Sequence, residues 1–262
     1  MEMRAVYAEC LAELMTRDRH VCVLDADLAK ASGTRALYER FPNQMFDCGV
    51  AEQNMASIAA GLASYGFKPY IESFTPFATR RICDQIAISI SYAKSNVKIV
   101  GTDPGISAEL NGGTHMSMED IGVMRSIPNL IITDPADNTM FAKLMPQIIN
   151  HNGTIYTRMC RKSAVKPIFG DDEEFDLFKA YKMRDGKDVS IFATGIMVED
   201  AKAAAEELAK EGIEVDLIEV HTIKPLDTET LAASARKTGC VVTCENSNVV
   251  GGFYAAVLEG LN

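Results

Sequence analysis

No run of this 262-residue chain approaches the ~20 consecutive apolar residues that a membrane-spanning helix needs. The opening stretch, MEMRAVYAEC, lacks the apolar centre of a secretory leader and has helical spacing instead. Basic residues are in the minority. Twenty-six Lys+Arg face 36 Asp+Glu, a formal charge of −10, which argues against general binding to nucleic acid or to an anionic membrane. Histidine is scarce: four residues (His20, His115, His151, His221) leave little room for a His-rich metal site. The seven cysteines include no C-x-x-C pair and sit mostly in apolar runs. Reduced, mostly buried thiols in a cytoplasmic protein are expected, Cys240 and Cys244 among them. There is no short-period repeat, no low-complexity tract and no G-x-G-x-x-G. A dinucleotide site is therefore not indicated, although Thr194-Gly195 opens a helix and suits an anion.

What is present is ordinary globular material, 47% hydrophobic and 24% charged, enough for a real core. Met3, Val6, Tyr7, Cys10, Leu11 and Leu14 fall at helical spacing. Val21-Cys22-Val23-Leu24 is wholly apolar, as suits a parallel strand buried on both faces. Further strands are expected at 45–47, 69–73, 97–101, 130–133 and 154–158, with helices at 52–65, 77–92 and 137–150 between them. This is the rhythm of an open α/β sheet. An acidic stretch around Asp171-Asp172-Glu173-Glu174 reads as part of a surface linker. The rhythm then restarts with strands at 188–194, 213–219 and 240–245 and helices at 197–211, 228–237 and 251–260. The fold expected is α/β, with two doubly wound parallel-sheet domains: residues 1–165, a linker at 166–186, and a smaller domain at 187–262. Three parallel strands are few for such a domain, so the second is expected to be shortened or completed by a partner.

In doubly wound sheets ligands bind beyond the carboxyl ends of the strands, which directs attention to the polar clusters there. Glu52 stands at the start of a helix after a short strand. A carboxylate there gains a few tenths of a kcal/mol from the helix dipole. Apolar neighbours would also desolvate it, as acid–base work requires. Downstream, Ser73-Phe74-Thr75-Pro76-Phe77 puts two aromatic rings in a strand-to-helix corner. A carboxylate and a flat aromatic wall suit a heteroaromatic ring, while core packing is the plainer role for the two Phe. His221, in His221-Thr222-Ile223-Lys224-Pro225-Leu226-Asp227, reads as part of a turn and helix cap around Asp227.

The segment GVAEQNMASIAAGLASYGFKPYIESFTPFATRRICDQI resembles the pyrimidine-binding domain of thiamine-diphosphate enzymes, above all the transketolase family. Gly112-Gly113-Thr114-His115, then Glu119-Asp120, then Ile127-Pro128-Asn129-Leu130 follow in the family's order. The resemblance spans nearly the whole chain and has the shape of the C-terminal subunit of a split transketolase. It implies that Glu52 hydrogen-bonds N1′ of the aminopyrimidine and so promotes loss of the thiazolium C2 proton. It implies that Phe77 stacks on the pyrimidine with Phe74 as its companion, and that Asp27 lies close to the cofactor. His115 would hydrogen-bond the donor's hydroxyl and carbonyl oxygens. Arg158, and more loosely Arg4, would hold a sugar phosphate, with Ser32 near it.

Departures from the family pattern are equally informative. Asn111 stands four residues before His115, where the family commonly has Asp, and Thr102-Asp103 replaces a second His. No Gly-Asp-Gly is present, so the diphosphate and the Mg²⁺ are expected on an N-terminal diphosphate-binding partner subunit, as an α2β2 assembly. Family members also commonly extend a few tens of residues beyond the equivalent of Asn262. The activity implied is transfer of a two-carbon ketol unit from a ketose phosphate to an aldose phosphate, in the pentose phosphate pathway by default. The alternatives are a deoxyxylulose-phosphate-synthase-like enzyme, a transketolase specialised for a branched or sulfonated sugar, and a degenerate, non-catalytic partner subunit.

Overall fold

The computed structural model describes residues 1–161 and 167–262. Helix α1 (Met3–Arg17) buries Met3, Tyr7, Leu11 and Met15, one residue per turn along a single stripe. Strand β1 (Val21–Asp25) follows, buried at every position. Short helices α2 (Ala29–Ser32) and α3 (Leu37–Arg40) lead to β2 (Met45–Asp47). Helix α4 (Glu52–Ser64), β3 (Lys68–Phe74), the one-turn α5 (Thr75–Ala78) and β4 (Lys98–Thr102) come next. The first half ends with α6 (Asp120–Arg125), β5 (Leu130–Thr133), α7 (Asn138–Asn150) and β6 (Thr154–Met159). The second half contains β7 (Tyr181–Arg184), β8 (Val189–Ala193), α8 (Met197–Lys210), β9 (Val215–Glu219), β10 (Thr222–Lys224), α9 (Thr228–Thr238), β11 (Val241–Cys244) and α10 (Phe253–Leu261).

The strands of the described residues form two sheets. The larger has the order β10-β5-β6-β4-β3-β1-β2 and the smaller β11-β8-β9-β7. Among the described strands of the larger sheet, β10 alone runs antiparallel, against β5. Order reverses between β1, which pairs with β2 on one side, and β3 on the other. That switch point opens a crevice at the carboxyl ends of β1 and β3, where an α/β sheet takes ligands.

The structure departs from the sequence expectations in four places. The first-domain boundary at residue 165 and the start of the linker at 166 lie outside the described residues. Residues 181–184 of the expected linker form a strand, β7, which pairs antiparallel with β9 and makes a fourth strand in the smaller sheet. The acidic run around it is not a pure solvated face. Phe175 and Leu177 alternate with the acids and are buried, and the Leu177 N–H donates to Gln147 Oε1 at 2.9 Å. Second, Thr222–Lys224 is not only a turn: it crosses to the larger sheet as β10, and Lys224 Nζ donates to the Arg125 carbonyl at 2.8 Å. The Asp227 cap is present, with Thr230 Oγ1 donating to its carboxylate at 2.7 Å. Third, the single helix expected over 77–92 is broken. After α5, Thr79 is non-helical (φ −126°, ψ −88°), a short 3₁₀ turn spans Arg80–Ile82, and Gln85–Tyr92 forms a wide π-helix. Fourth, Cys240 is exposed and Cys244 only partly buried, because β11 is an edge strand. No helix among the described residues is long and apolar enough to cross a membrane.

One polar group in the core carries a pH prediction. Glu72 of β3 is fully buried and lies opposite Asp25 of β1. Thr34 Oγ1 donates to Glu72 Oε1. Burial, with a contribution from Asp25, pushes the carboxyl from its ordinary 4.5 up to about 8. The folded state therefore holds a proton that the unfolded state has released across that window. Stability falls as pH rises from 4.5 to 8. Glu72→Gln keeps the shape and removes the titration. Urea unfolding should show it gaining on the wild type by about 1–3 kcal/mol between pH 5 and pH 8.5. Parallel pH profiles would count against this ionisation.

Candidate active site

Glu52 is the first residue of α4 and only 5% exposed. The chain reaches it through a tight turn in which Gly49 takes φ +67° and its N–H donates to Asp47 Oδ1 at 2.8 Å. A side chain at that φ would be strained. The carboxylate thus sits at the positive end of a helix and out of bulk water, where charge is both favoured and strongly felt. Arg81 Nη1 donates to Glu52 Oε1 at 2.9 Å.

Beside it, Phe74 ends β3 and Phe77 lies in α5, with ring centroids 6.2 Å apart and planes nearly perpendicular at 88°. His115 packs edge-on against both, 5.0 Å from Phe74 and 5.3 Å from Phe77. Its loop leaves β4 through Gly105, at φ +58°, whose N–H donates to the Ser117 carbonyl at 3.0 Å. A Cβ on Gly105 would lie 2.3 Å from Asn246 Oδ1, so no larger residue fits. Thr114 Oγ1 is 2.8 Å from His115 Nδ1, which fixes the ring and leaves Nε2 for another partner. Arg80 bridges to Glu119, tying the 3₁₀ turn to the segment just after His115. Asn111 is exposed at the end of the short turn Ile106–Asn111.

Glu52, Phe74, Phe77 and His115 therefore converge. The other sequence candidates divide. Asp27 sits in the left-handed region (φ +59°), and its N–H donates to Asp47 Oδ1 at 3.1 Å. It lines a cleft with Asp25, Lys30, Arg35, Tyr38 and Asp47. Arg4 Nη1 donates to the Ala31 carbonyl at 3.2 Å and its Nε to Glu2 at 2.6 Å. Ser32 is buried against Glu72 instead of facing an opening. Arg158 is the clearest departure. It is 1% exposed, and its donors go to Asp120, to Asp134 and to the Asn246 carbonyl, leaving no face for a phosphate. The physical reason is the pleat. Strand β6 continues to Met159, so Arg158 lies within it, on the same side as Tyr156, whose OH also donates to Asp120.

The sequence reading missed Arg161. It lies two residues past the end of β6, next to the carboxyl ends of β4 and β3. Its guanidinium carbon is 4.6 Å above the Phe74 ring. Asp103 accepts from both its Nε and its backbone N–H, each at 2.8 Å. The available signal was strand length: had β6 been extended by one residue beyond 158, the first Arg clear of the sheet would have been Arg161.

His221 has the structural role expected of it, fully buried between Glu219 and the Asp176 carbonyl, each 2.8 Å from a ring nitrogen. The anion suited to Thr194-Gly195 is internal: Asp134, whose carboxylate accepts from Thr194 Oγ1 at 3.3 Å and whose carbonyl accepts from the Gly195 N–H at 3.1 Å.

Comparison with known proteins agrees with this geometry. The sequence matches the transketolase pyrimidine binding domain over residues 1–166 and the transketolase C-terminal domain over 179–262. A 6-deoxy-6-sulfo-D-fructose transketolase subunit from Clostridium sp. strain MSTE9 is 49% identical over 259 residues, covering 99% of this chain and 80% of that protein. An apulose-4-phosphate transketolase subunit from Phocaeicola vulgatus is 32% identical, covering 99% of this chain and 83% of that one. A solved structure described as a split-gene transketolase, an inactive β4 tetramer, superposes with a TM-score of 0.91 at 37% identity, over 100% of this chain and 85% of that one. With a buried Glu at a helix start, two crossed Phe and a His on their edges, and both domains matched in order, the chain belongs to the transketolase family.

Proposed function

We propose that this chain is the pyrimidine-binding subunit of a split transketolase and uses thiamine diphosphate to move a two-carbon ketol unit from a ketose to an aldose. The observation that carries this reading is the meeting of the Glu52 carboxylate, the Phe77 face and the His115 ring at one point on the carboxyl edge of the sheet. A buried acceptor beside a flat aromatic face fits an aminopyrimidine. When bound, the cofactor supplies a nucleophilic carbon that can break and remake the bond next to a ketose carbonyl.

This chain's residues do the rest. Glu52 holds a hydrogen bond at the pyrimidine N1′, where a carboxyl can give or take the proton it shares with the ring. Phe77 fixes the ring plane, with Phe74 behind it. His115, with Nδ1 engaged by Thr114, offers Nε2 to the sugar's oxygens. Arg161 receives the anionic end of the sugar in place of Arg158. The diphosphate and the Mg²⁺ are assigned to the partner subunit, since no Gly-Asp-Gly occurs in this sequence. A relative whose β-only tetramer is called inactive supports that dependence. The rim has apolar side chains for a partner to cover, among them Val50 and Ile106.

A sulfonated or branched sugar is the second reading of the substrate. It is favoured by the 49% identity to the sulfofructose transketolase subunit and by the apulose-phosphate relative. Arg161 suits either anion, since a sulfonate and a phosphate both present three oxygens to a guanidinium. The test is ketol transfer by the chain co-assembled with a diphosphate-domain subunit, thiamine diphosphate and Mg²⁺. Xylulose 5-phosphate and 6-deoxy-6-sulfofructose would be compared as donors and ribose 5-phosphate supplied as acceptor. Activity is expected only with both subunits. Arg161→Ala should raise KM for the preferred donor about 10–100-fold, the value of a charge-assisted hydrogen bond. A formed complex that binds cofactor but turns over neither donor would reject this activity.

A further inference from the structure

Arg81 has no role in the mechanism above, yet it makes two contacts at the centre of the site. Its guanidinium carbon lies 3.9 Å above the Phe77 ring centroid, and its Nη1 donates to Glu52 Oε1 at 2.9 Å. These are the two contacts an aminopyrimidine needs there: a flat stack on Phe77 and an N–H or N···H–O bond to Glu52. A guanidinium is itself planar, delocalised and nitrogen-rich, with its donors in the plane, so it meets both demands at once.

The placement is specific to this side chain. The neighbouring Arg80 turns the other way, to Glu119. Non-helical Thr79 starts the short turn that aims the two arginines apart. The Arg81 side chain is also 44% exposed, so it can leave for water without disturbing the core.

We propose that Arg81 stands in for the aminopyrimidine in the cofactor-free chain, covering Glu52 and Phe77, and that cofactor binding displaces it outward into solvent. The inference rests on the cofactor assignment made above. The contacts to be broken are modest. A partly exposed ion pair and an exposed cation–π contact together lower affinity by roughly 3–10-fold. Such a cover keeps the buried carboxylate paired and the ring shielded until cofactor and partner arrive, yet yields readily to the cofactor.

The test uses the full chain and thiamine, which carries the pyrimidine without the diphosphate. Titrations followed by NMR and calorimetry would compare wild type, Arg81→Ala and, as the control, Arg80→Ala. Arg81→Ala should bind thiamine about 3–10-fold more tightly, and Arg80→Ala should match wild type. A second readout does not depend on affinity. The Arg81 Nε–H resonance, shifted by the Phe77 ring current, should move to its solvent-exposed position as thiamine saturates the site. Equal or weaker binding by Arg81→Ala, with the resonance unmoved, would show that Arg81 helps hold the ring and would overturn the proposal while leaving the cofactor assignment standing. No thiamine binding by any of the three chains, and no binding of thiamine diphosphate when a partner subunit is present, would remove the pyrimidine site itself and both readings with it.

Discussion

Replacing Glu52 with glutamine should lower ketol transfer by the assembled enzyme by about 10²–10⁴-fold while the chain still folds. The two halves of that expectation have separate causes. Glutamine has the same shape and can still hydrogen-bond, but its amide cannot exchange a proton with the pyrimidine nitrogen. The loss therefore falls on kcat. Stability has little to lose. A charge in the first turn of α4 contributes about 0.3–1 kcal/mol, and its ion pair with the half-exposed Arg81 about 0–1 kcal/mol more. Unfolding in urea and steady-state kinetics on the same preparations would separate the two. Turnover within a few-fold of wild type would end the assignment of Glu52 to the cofactor. A collapsed fold would mean that its burial matters more to the structure than its charge does to chemistry.

The parts of this molecule legible in the sequence share one property: their signal is local. Strand β1 is read from four apolar residues because both its faces are covered. Glu52 is read from its place at the head of a helix, and Phe74, Phe77 and His115 from compact motifs that keep their order. What stayed hidden depends on residues far apart. Strands β7 and β10 are only four and three residues long, and each exists because a distant strand, β9 or β5, offers it an edge. The break of 77–92 into a 3₁₀ turn and a π-helix follows from backbone angles at Thr79 that apolar spacing does not encode. That same break aims Arg81 at Glu52, so the contact was invisible too. The exchange of Arg158 for Arg161 turns on where a strand ends, the least certain feature of any sequence-based reading.

Arg158 tests that last point most severely, because the two roles predict opposite results. As a phosphate ligand it would tolerate replacement in the folded state and fail only with substrate. The structure gives it a different task. It joins Asp120 of α6, Asp134 after β5 and the Asn246 carbonyl after β11, so it ties three segments together beneath the site. Removing one partner of such a buried set leaves charge without compensation, at a cost of about 3–5 kcal/mol. Arg158→Met should lose that much in urea unfolding or fail to accumulate as soluble protein. The loss has a pH sign. Burial already holds the Asp134 carboxyl above its ordinary range, opposed by Arg158. Without the guanidinium the folded state favours protonated Asp134 still more. Stability then drops as pH rises through the raised value, and the deficit is larger at pH 8 than at pH 5. Neutralising the acids as well, with Asp120→Asn and Asp134→Asn on the Arg158→Met background, should recover part of the loss even though three native groups are gone. An Arg158→Met chain as stable as wild type, with a raised KM for the sugar, would instead restore the role that the sequence suggested and take it from Arg161.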